Sequence, residues 1–251
     1  MNFMTTTDQA FLDASMTNPT VGQKSLVVVG ATGMVGGYAL RYALDHPAVE
    51  RVTSIGRKKL GISHSKLTEV LHPDFADCTA LDGALSDQNA AVFCLGVYTG
   101  AVPDAEFRKI TVDYTVEFAR VLRASSPDAA FSFLSGMGAD QTGSSRVPFA
   151  RYKGEAEKAL LAAGFPRLYI FRPAYIYPVK ARAEPNFSYR LLRVIYPVFR
   201  MLFPNQVIPA DDLARAMVDV GVRKTAEHAN RTLENRDIRA LVQTPSGEPG
   251  H

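Results

Sequence analysis

Six short apolar segments punctuate the chain, at 25–29, 49–55, 66–71, 90–96, 129–135 and 167–171, and most are rich in β-branched or aromatic residues. Apolar on both faces rather than alternating, such runs read as strands buried in a parallel sheet. Between them lie stretches of helical spacing: 38–44, 81–85, 104–124 and 149–163. Asp45-His46-Pro47 stops the first of these, and Gly164 stands near the C-cap of the last. The helix predicted over 104–124 carries Phe107, Ile110, Val112, Tyr114, Val116, Phe118, Ala119, Val121 and Leu122, more apolar positions than one helical face holds. Buried strands alternating with helices predict an α/β fold, a doubly wound parallel sheet.

The pattern fades at both ends. Residues 1–24 are polar apart from Phe11-Leu12 and predict a mobile arm, or a short docked helix. After 171 the chain turns aromatic and basic, with Arg190, Arg193 and Arg200 interleaved between 189 and 203 and Pro197 set to kink any helix there. Two readings stand for this stretch: a helix covering a substrate pocket, or a basic amphipathic helix against an anionic membrane surface. A helix with acids in its first turn starts at 209, and residues 245–251 form a frayed tail. The expected organisation is an arm over 1–24, a core over 25–171 and a small C-terminal substrate lobe with tail over 172–251, integrated with the core.

Composition narrows the class. The 251 residues are 47% hydrophobic, enough for one large core. A net charge of +3 is too weak to argue for nucleic acid. Two cysteines, Cys78 and Cys94, imply no disulfide framework, and no stretch reads as a signal peptide or a membrane span. The expectation is a cytoplasmic protein without stable membrane insertion, a monomer or homodimer with a small-molecule substrate. The histidines are scattered away from cysteine partners, so no metal site is expected.

The candidate chemistry begins where the first strand ends. Gly30-Ala31-Thr32-Gly33-Met34-Val35-Gly36 lies between an apolar strand and a helix, the context of a dinucleotide fingerprint. Glycines there serve a tight turn, close approach of backbone to a pyrophosphate, and helix–strand packing, and the helix N-terminus favours phosphate. The fold is therefore expected to be of Rossmann type. The second strand ends at Arg57 and Lys58 with no acid at its tip. An NAD enzyme usually places a carboxylate there for the ribose 2′-hydroxyl, whereas a guanidinium suits a 2′-phosphate, so NADP(H) is favoured over NAD(H).

The ordered motifs G-A-T-G-M-V-G, V-T-S-I-G-R-K-K, V-F-C-L-G, L-S-G-M-G-A-D, Y-K-G-E-A-E-K, F-R-P-A-Y and L-E-N-R-D-I span 30–238. Together they resemble the atypical short-chain dehydrogenase/reductases of the Tat-interacting protein oxidoreductase family. That resemblance implies an NADPH-binding Rossmann core with a small C-terminal lobe. It places cofactor contacts on Thr32, Gly33, Met34 and Val35, on Arg57 and Lys58, on Leu95 and Gly96, on Lys153, and on the Arg172–Ile176 turn with Tyr175. It also implies an adenine contact at Asp74-Phe75; the residues themselves leave open a helix cap nearby, at Asp77-Cys78-Thr79.

Short-chain enzymes use Tyr and Lys four residues apart on one helix face, the cation easing proton exchange by the phenol. Lys153 is present, but Phe149 stands where the tyrosine belongs. Ser135 resembles the strand-end serine, although the usual position falls nearer Gly136 or Met137. Tyr152 is about 100° from Lys153 around the helix and a poor geometric substitute; Tyr98, Tyr175 and Tyr177 are other phenols near the strand ends. Three readings follow: an NADP(H)-dependent oxidoreductase acting on a small carbonyl or alcohol, a catalytically weak NADP(H)-binding sensor or regulator, and an epimerase-like enzyme.

Overall fold

A computed structural model describes residues 23–179, 206–223 and 229–243. The residues before 23, the arginine-rich stretch at 189–203 and the tail at 245–251 lie outside the described residues.

The chain runs β1 (Lys24–Val29), α1 (Met34–Asp45), β2 (Val49–Gly56), β3 (Leu67–Leu71), a 3-10 turn (Thr79–Leu81), α2 (Asp82–Leu85) and β4 (Ala90–Phe93). Then follow α3 (Asp104–Arg108), a π-helical turn (Lys109–Asp113), α4 (Tyr114–Ser125), β5 (Ala130–Leu134), α5 (Pro148–Ala162) and β6 (Arg167–Arg172). Beyond these come β7 (Tyr175–Tyr177), β8 (Val207–Pro209), α6 (Ala210–Val222), β9 (Ala229–Glu234) and α7 (Asn235–Gln243).

Seven strands form one parallel sheet in the order β3-β2-β1-β4-β5-β6-β9. The order reverses between β1 and β4, the switch point where ligands bind in such sheets. Side chains of β1 alternate across the sheet. Leu26 and Val28 join Ala39, Leu40, Ala43, Leu213 and Met217 under α1 and α6. Val27 and Val29 join Phe93, Phe118, Leu122, Phe131 and Leu160 under α4 and α5. The second face is an aromatic cluster, with Phe93–Phe118 and Phe131–Phe165 centroids 5.2 and 5.0 Å apart. This is the expected Rossmann-type doubly wound sheet.

Three features depart from the sequence reading. The helix predicted over 104–124 is broken by the π-helical turn. A π turn shifts helical phase, so Phe107 and Val112 are buried in one cluster and Phe118 and Leu122 in another, which accounts for the surplus apolar positions. A seventh strand, β9, pairs with β6 as an edge strand; its polar sequence ANRTLE buries only Leu233. Finally, β7 and β8 make a separate two-stranded parallel sheet. The core sheet thus extends past residue 171, and α6 docks on α1, where the Tyr42 hydroxyl donates to Asp219 at 2.8 Å.

Candidate functional site

The turn after β1 is shaped by two close approaches. Gly30 has φ +86°, and a Cβ there would fall 2.7 Å from the Cys94 carbonyl carbon. A Cβ on Gly36 would fall 2.2 Å from the Gly30 carbonyl oxygen. Backbone holds both positions, so no side chain fits without displacing β4 or the turn. Gly33 N–H closes the turn on Gly30 O at 2.9 Å. Helix α1 then starts at Met34 with no side-chain cap, leaving its first N–H groups to a ligand. This cradle fits a dinucleotide pyrophosphate.

Two clefts open from the turn. The first, about 230 Å³, is lined by Gly30, Ala31, Thr32, Gly56, Arg57, Lys58, Glu69, Phe75 and Leu95, among others. The second, about 640 Å³, is lined on the other side by Gly33, Met34, Val35, Gly36, Gly96, Phe149, Lys153 and Tyr175, with Thr111 brought in by the π turn. The predicted cofactor positions therefore divide between adjoining clefts, apart from Asp74 and, in the turn after β6, Arg172 and Pro173. Asp74 lines neither; it is exposed and accepts from Ala76 N–H at 3.0 Å, which holds its carboxyl below the usual range. Phe75 alone of that pair faces the first cleft, and Asp77, just before the 3-10 turn, accepts from Thr79 N–H at 2.9 Å.

Glu69 was missed by sequence reasoning. It comes from within β3, not from the tip of β2, and only the sheet register, opposite Ser54, brings it to the cleft. Its carboxylate accepts from Leu60 N–H at 2.8 Å and so anchors the loop that carries Arg57 and Lys58.

Among the described residues, the second cleft holds one buried cation. Lys153 is 9% exposed, donates from Nζ to Leu134 O at 2.7 Å and lies 4.7 Å from the Phe133 ring centroid. Burial pushes its pKa down to about 8. Phe149, one turn earlier on α5, packs its ring tip on Gly136, where a Cβ would fall 2.5 Å from the ring's Cζ. The glycine and the phenylalanine interlock, and neither brings a hydroxyl.

The two other residues expected to act in catalysis are tied up elsewhere. Ser135 is buried and lines neither cleft; its hydroxyl donates to Glu157. The Tyr152 hydroxyl donates to Asp104 at 2.6 Å, beneath Phe107. Both hydroxyls are turned to internal partners and away from the clefts, a direction that spacing does not reveal. Glu157, in turn, is fully buried beneath the site. It accepts from Ser135, from Gln141 at 2.7 Å and from Arg172 Nε at 2.9 Å. Only its spacing, one turn after Lys153 on the same helix face, sets it apart in the sequence, and spacing alone does not reveal its burial.

The sequence profile of the NAD dependent epimerase/dehydratase family matches residues 26–161. The chain is 30% identical to Protein fmp52, mitochondrial, of Aspergillus clavatus, over 79% of this chain and 87% of that one. It is 28% identical to Protein HTATIP2 of Rattus norvegicus, over 65% and 67%. Among solved structures, a UDP-N-acetylglucosamine 4-epimerase from Methanobrevibacter ruminantium matches with TM-score 0.63 at 14% identity, covering 86% of this chain and 80% of that one. The Bordetella bronchiseptica enzyme WbmH, solved with NAD+, matches with TM-score 0.61 at 16% identity, covering 82% and 74%. These structures share the fold. The fmp52 relatives are named mitochondrial, which overturns the expected cytoplasmic location. Among the described residues, no helix is long and apolar enough to cross a membrane. The matches support an NAD(P)-binding, oxidoreductase-like function, and on the profile match and the fmp52 relative this chain belongs to the NAD dependent epimerase/dehydratase family, in its atypical short-chain dehydrogenase/reductase branch.

Proposed function

We propose that the chain is an NADP(H)-dependent oxidoreductase acting on a small carbonyl or alcohol with an apolar body. One observation supports this reading above others: the glycine cradle joins a cleft bearing Arg57 and Lys58 to a cleft bearing Lys153. A bound nicotinamide would supply hydride chemistry. Arg57 and Lys58 would hold the 2′-phosphate, with planar, charge-assisted bonds from the guanidinium. Gly33 through Gly36 would hold the pyrophosphate, and Lys153 would reach the nicotinamide ribose. Val97, Phe107, Leu134, Ile176 and Pro178 give the second cleft its apolar wall. The relatives' names carry a mitochondrial location into this proposal.

Arg57→Ala tests the cofactor half. Its loss removes bonds to a charged group, each about 1.5–3 kcal/mol, so NADPH is expected to bind roughly 10- to 100-fold more weakly. Affinity for NADH should stay nearly unchanged. Equal losses for both nucleotides, measured by fluorescence titration, would remove the 2′-phosphate assignment. A carbonyl panel with NADPH tests the reaction.

The interlocked Gly136 and Phe149 favour a second reading, a dinucleotide-binding sensor or regulator. Tight NADPH binding without turnover of any carbonyl would select it. The same missing tyrosine counts against an epimerase.

A further inference from the structure

We propose that Lys153 itself gives the proton to the substrate oxygen in the second cleft, without a phenol between them. The inference rests on the oxidoreductase reading above. It starts from an omission: the helix face that should present a tyrosine one turn before Lys153 presents Phe149, locked against Gly136.

Tyr175 also lines the cleft and is separated by the test below; the other hydroxyls and the thiol near it are poorer donors. Ser135 and Tyr152 donate to Glu157 and Asp104 and line neither cleft. Burial pushes the Cys94 thiol up to about 12. Tyr98 stands 60% exposed at the rim. The aliphatic hydroxyl of Thr111 is too weak an acid to serve near neutral pH. Lys153 lines the cleft, and its ammonium has three N–H donors, of which one goes to Leu134 O. Among the described residues no carboxylate lies within ion-pair distance of its Nζ.

The groups facing Lys153 are Cys94 at the end of β4, Glu157 on α5 with Arg172 of β6 paired to it, and Tyr175 of β7 across the cleft. Burial outweighs the pull of Glu157 and brings the lysine to about 8, so it can both give and regain a proton near neutral pH.

The step balances. A bound reduced nicotinamide would supply the hydride, its own C–H bond breaking as the new bond to the carbonyl carbon forms and the C=O π pair moves to oxygen. One Lys153 N–H breaks as the O–H forms, leaving alcohol, oxidised nucleotide and a neutral amine that regains its proton from solvent. In the reverse direction the neutral amine takes the alcohol proton. Reduction therefore weakens as pH rises through about 8, and oxidation strengthens through the same range.

Lys153→Arg separates this role from charge alone. Arginine keeps a cation for the ribose but stays protonated at every accessible pH. The expected result is NADPH affinity within a few-fold of wild type, kcat lower by roughly 10²-fold or more, and no limb near pH 8. Tyr175 lines the same cleft, so Tyr175→Phe is read by its pH profile alone, which should keep the limb near pH 8. Heteronuclear NMR of the Lys153 side chain in the nucleotide-free protein should give a midpoint near 8, independent of turnover. Undiminished kcat in Lys153→Arg, loss of the limb in Tyr175→Phe instead, or an NMR midpoint near an ordinary lysine's would overturn the proposal alone. Absence of any carbonyl turnover with NADPH bound would overturn both it and the oxidoreductase reading.

Discussion

Glu157→Ala is expected to cost about 3–5 kcal/mol of stability, the penalty for leaving one partner of a buried ion pair behind. Urea unfolding at neutral pH measures it. The carboxylate is fully buried, and three elements converge on it: Ser135 at the end of β5, Gln141 in the loop before α5, and Arg172 at the end of β6. Without it the Arg172 guanidinium, 18% exposed, keeps only the longer 3.6 Å contact to Glu234. Glu157→Gln keeps the shape and one accepting oxygen but turns an NH2 toward the donors on the other; it should cost less, about 1–3 kcal/mol. The deletion has a second consequence one turn away. The negative charge raises the pKa of Lys153, so its removal should move the lysine's titration to lower pH. A loss below about 1 kcal/mol in Glu157→Ala, a value ordinary for exposed pairs, would show that the network does not hold these strand ends.

Gly36→Ala should lose nucleotide binding almost completely. Its methyl would fall 2.2 Å from the Gly30 carbonyl oxygen and 3.1 Å from Ala31 N, both backbone atoms with no flexible end to swing away. Either α1 lifts from the sheet or the cradle opens, and in both cases the N–H groups leave their anion. Overpacking of this kind costs about 1–3 kcal/mol, occasionally more. The binding loss should exceed the stability loss, since the displaced atoms are those that would touch phosphate. Wild-type affinity in Gly36→Ala, measured on protein shown to be folded by circular dichroism, would place the nucleotide somewhere other than this turn.

The parts of this molecule visible from sequence are those in which burial and periodicity agree. The strands β1, β4 and β5 stand out because both of their faces are covered, leaving near-continuous apolar runs. β9 did not stand out, since an edge strand with one buried residue looks like a loop. β7 and β8 are three residues each, below any period. The π turn was visible only as an excess of apolar positions, because phase is a property of backbone hydrogen bonding. At the site, glycines forecast the cradle because their steric demand is local. Ser135, Tyr152 and Glu157 were not legible in the same way. The first two have the right chemistry with hydroxyls turned inward, and the third looks like a solvated helix charge until Arg172 arrives from a distant strand.

Nucleotide-dependent thermal stabilisation of the wild-type protein tests the central claim most directly. A ligand at 100 times its Kd stabilises the native state by about 2.7 kcal/mol, roughly 5–10 °C in Tm for a chain of this size. The account predicts a shift of that order with NADPH and a clearly smaller one with NADH at the same concentration, because Arg57 and Lys58 line the first cleft. An equal or larger shift with NADH would contradict the NADP(H) assignment. No shift with either would contradict the dinucleotide site itself.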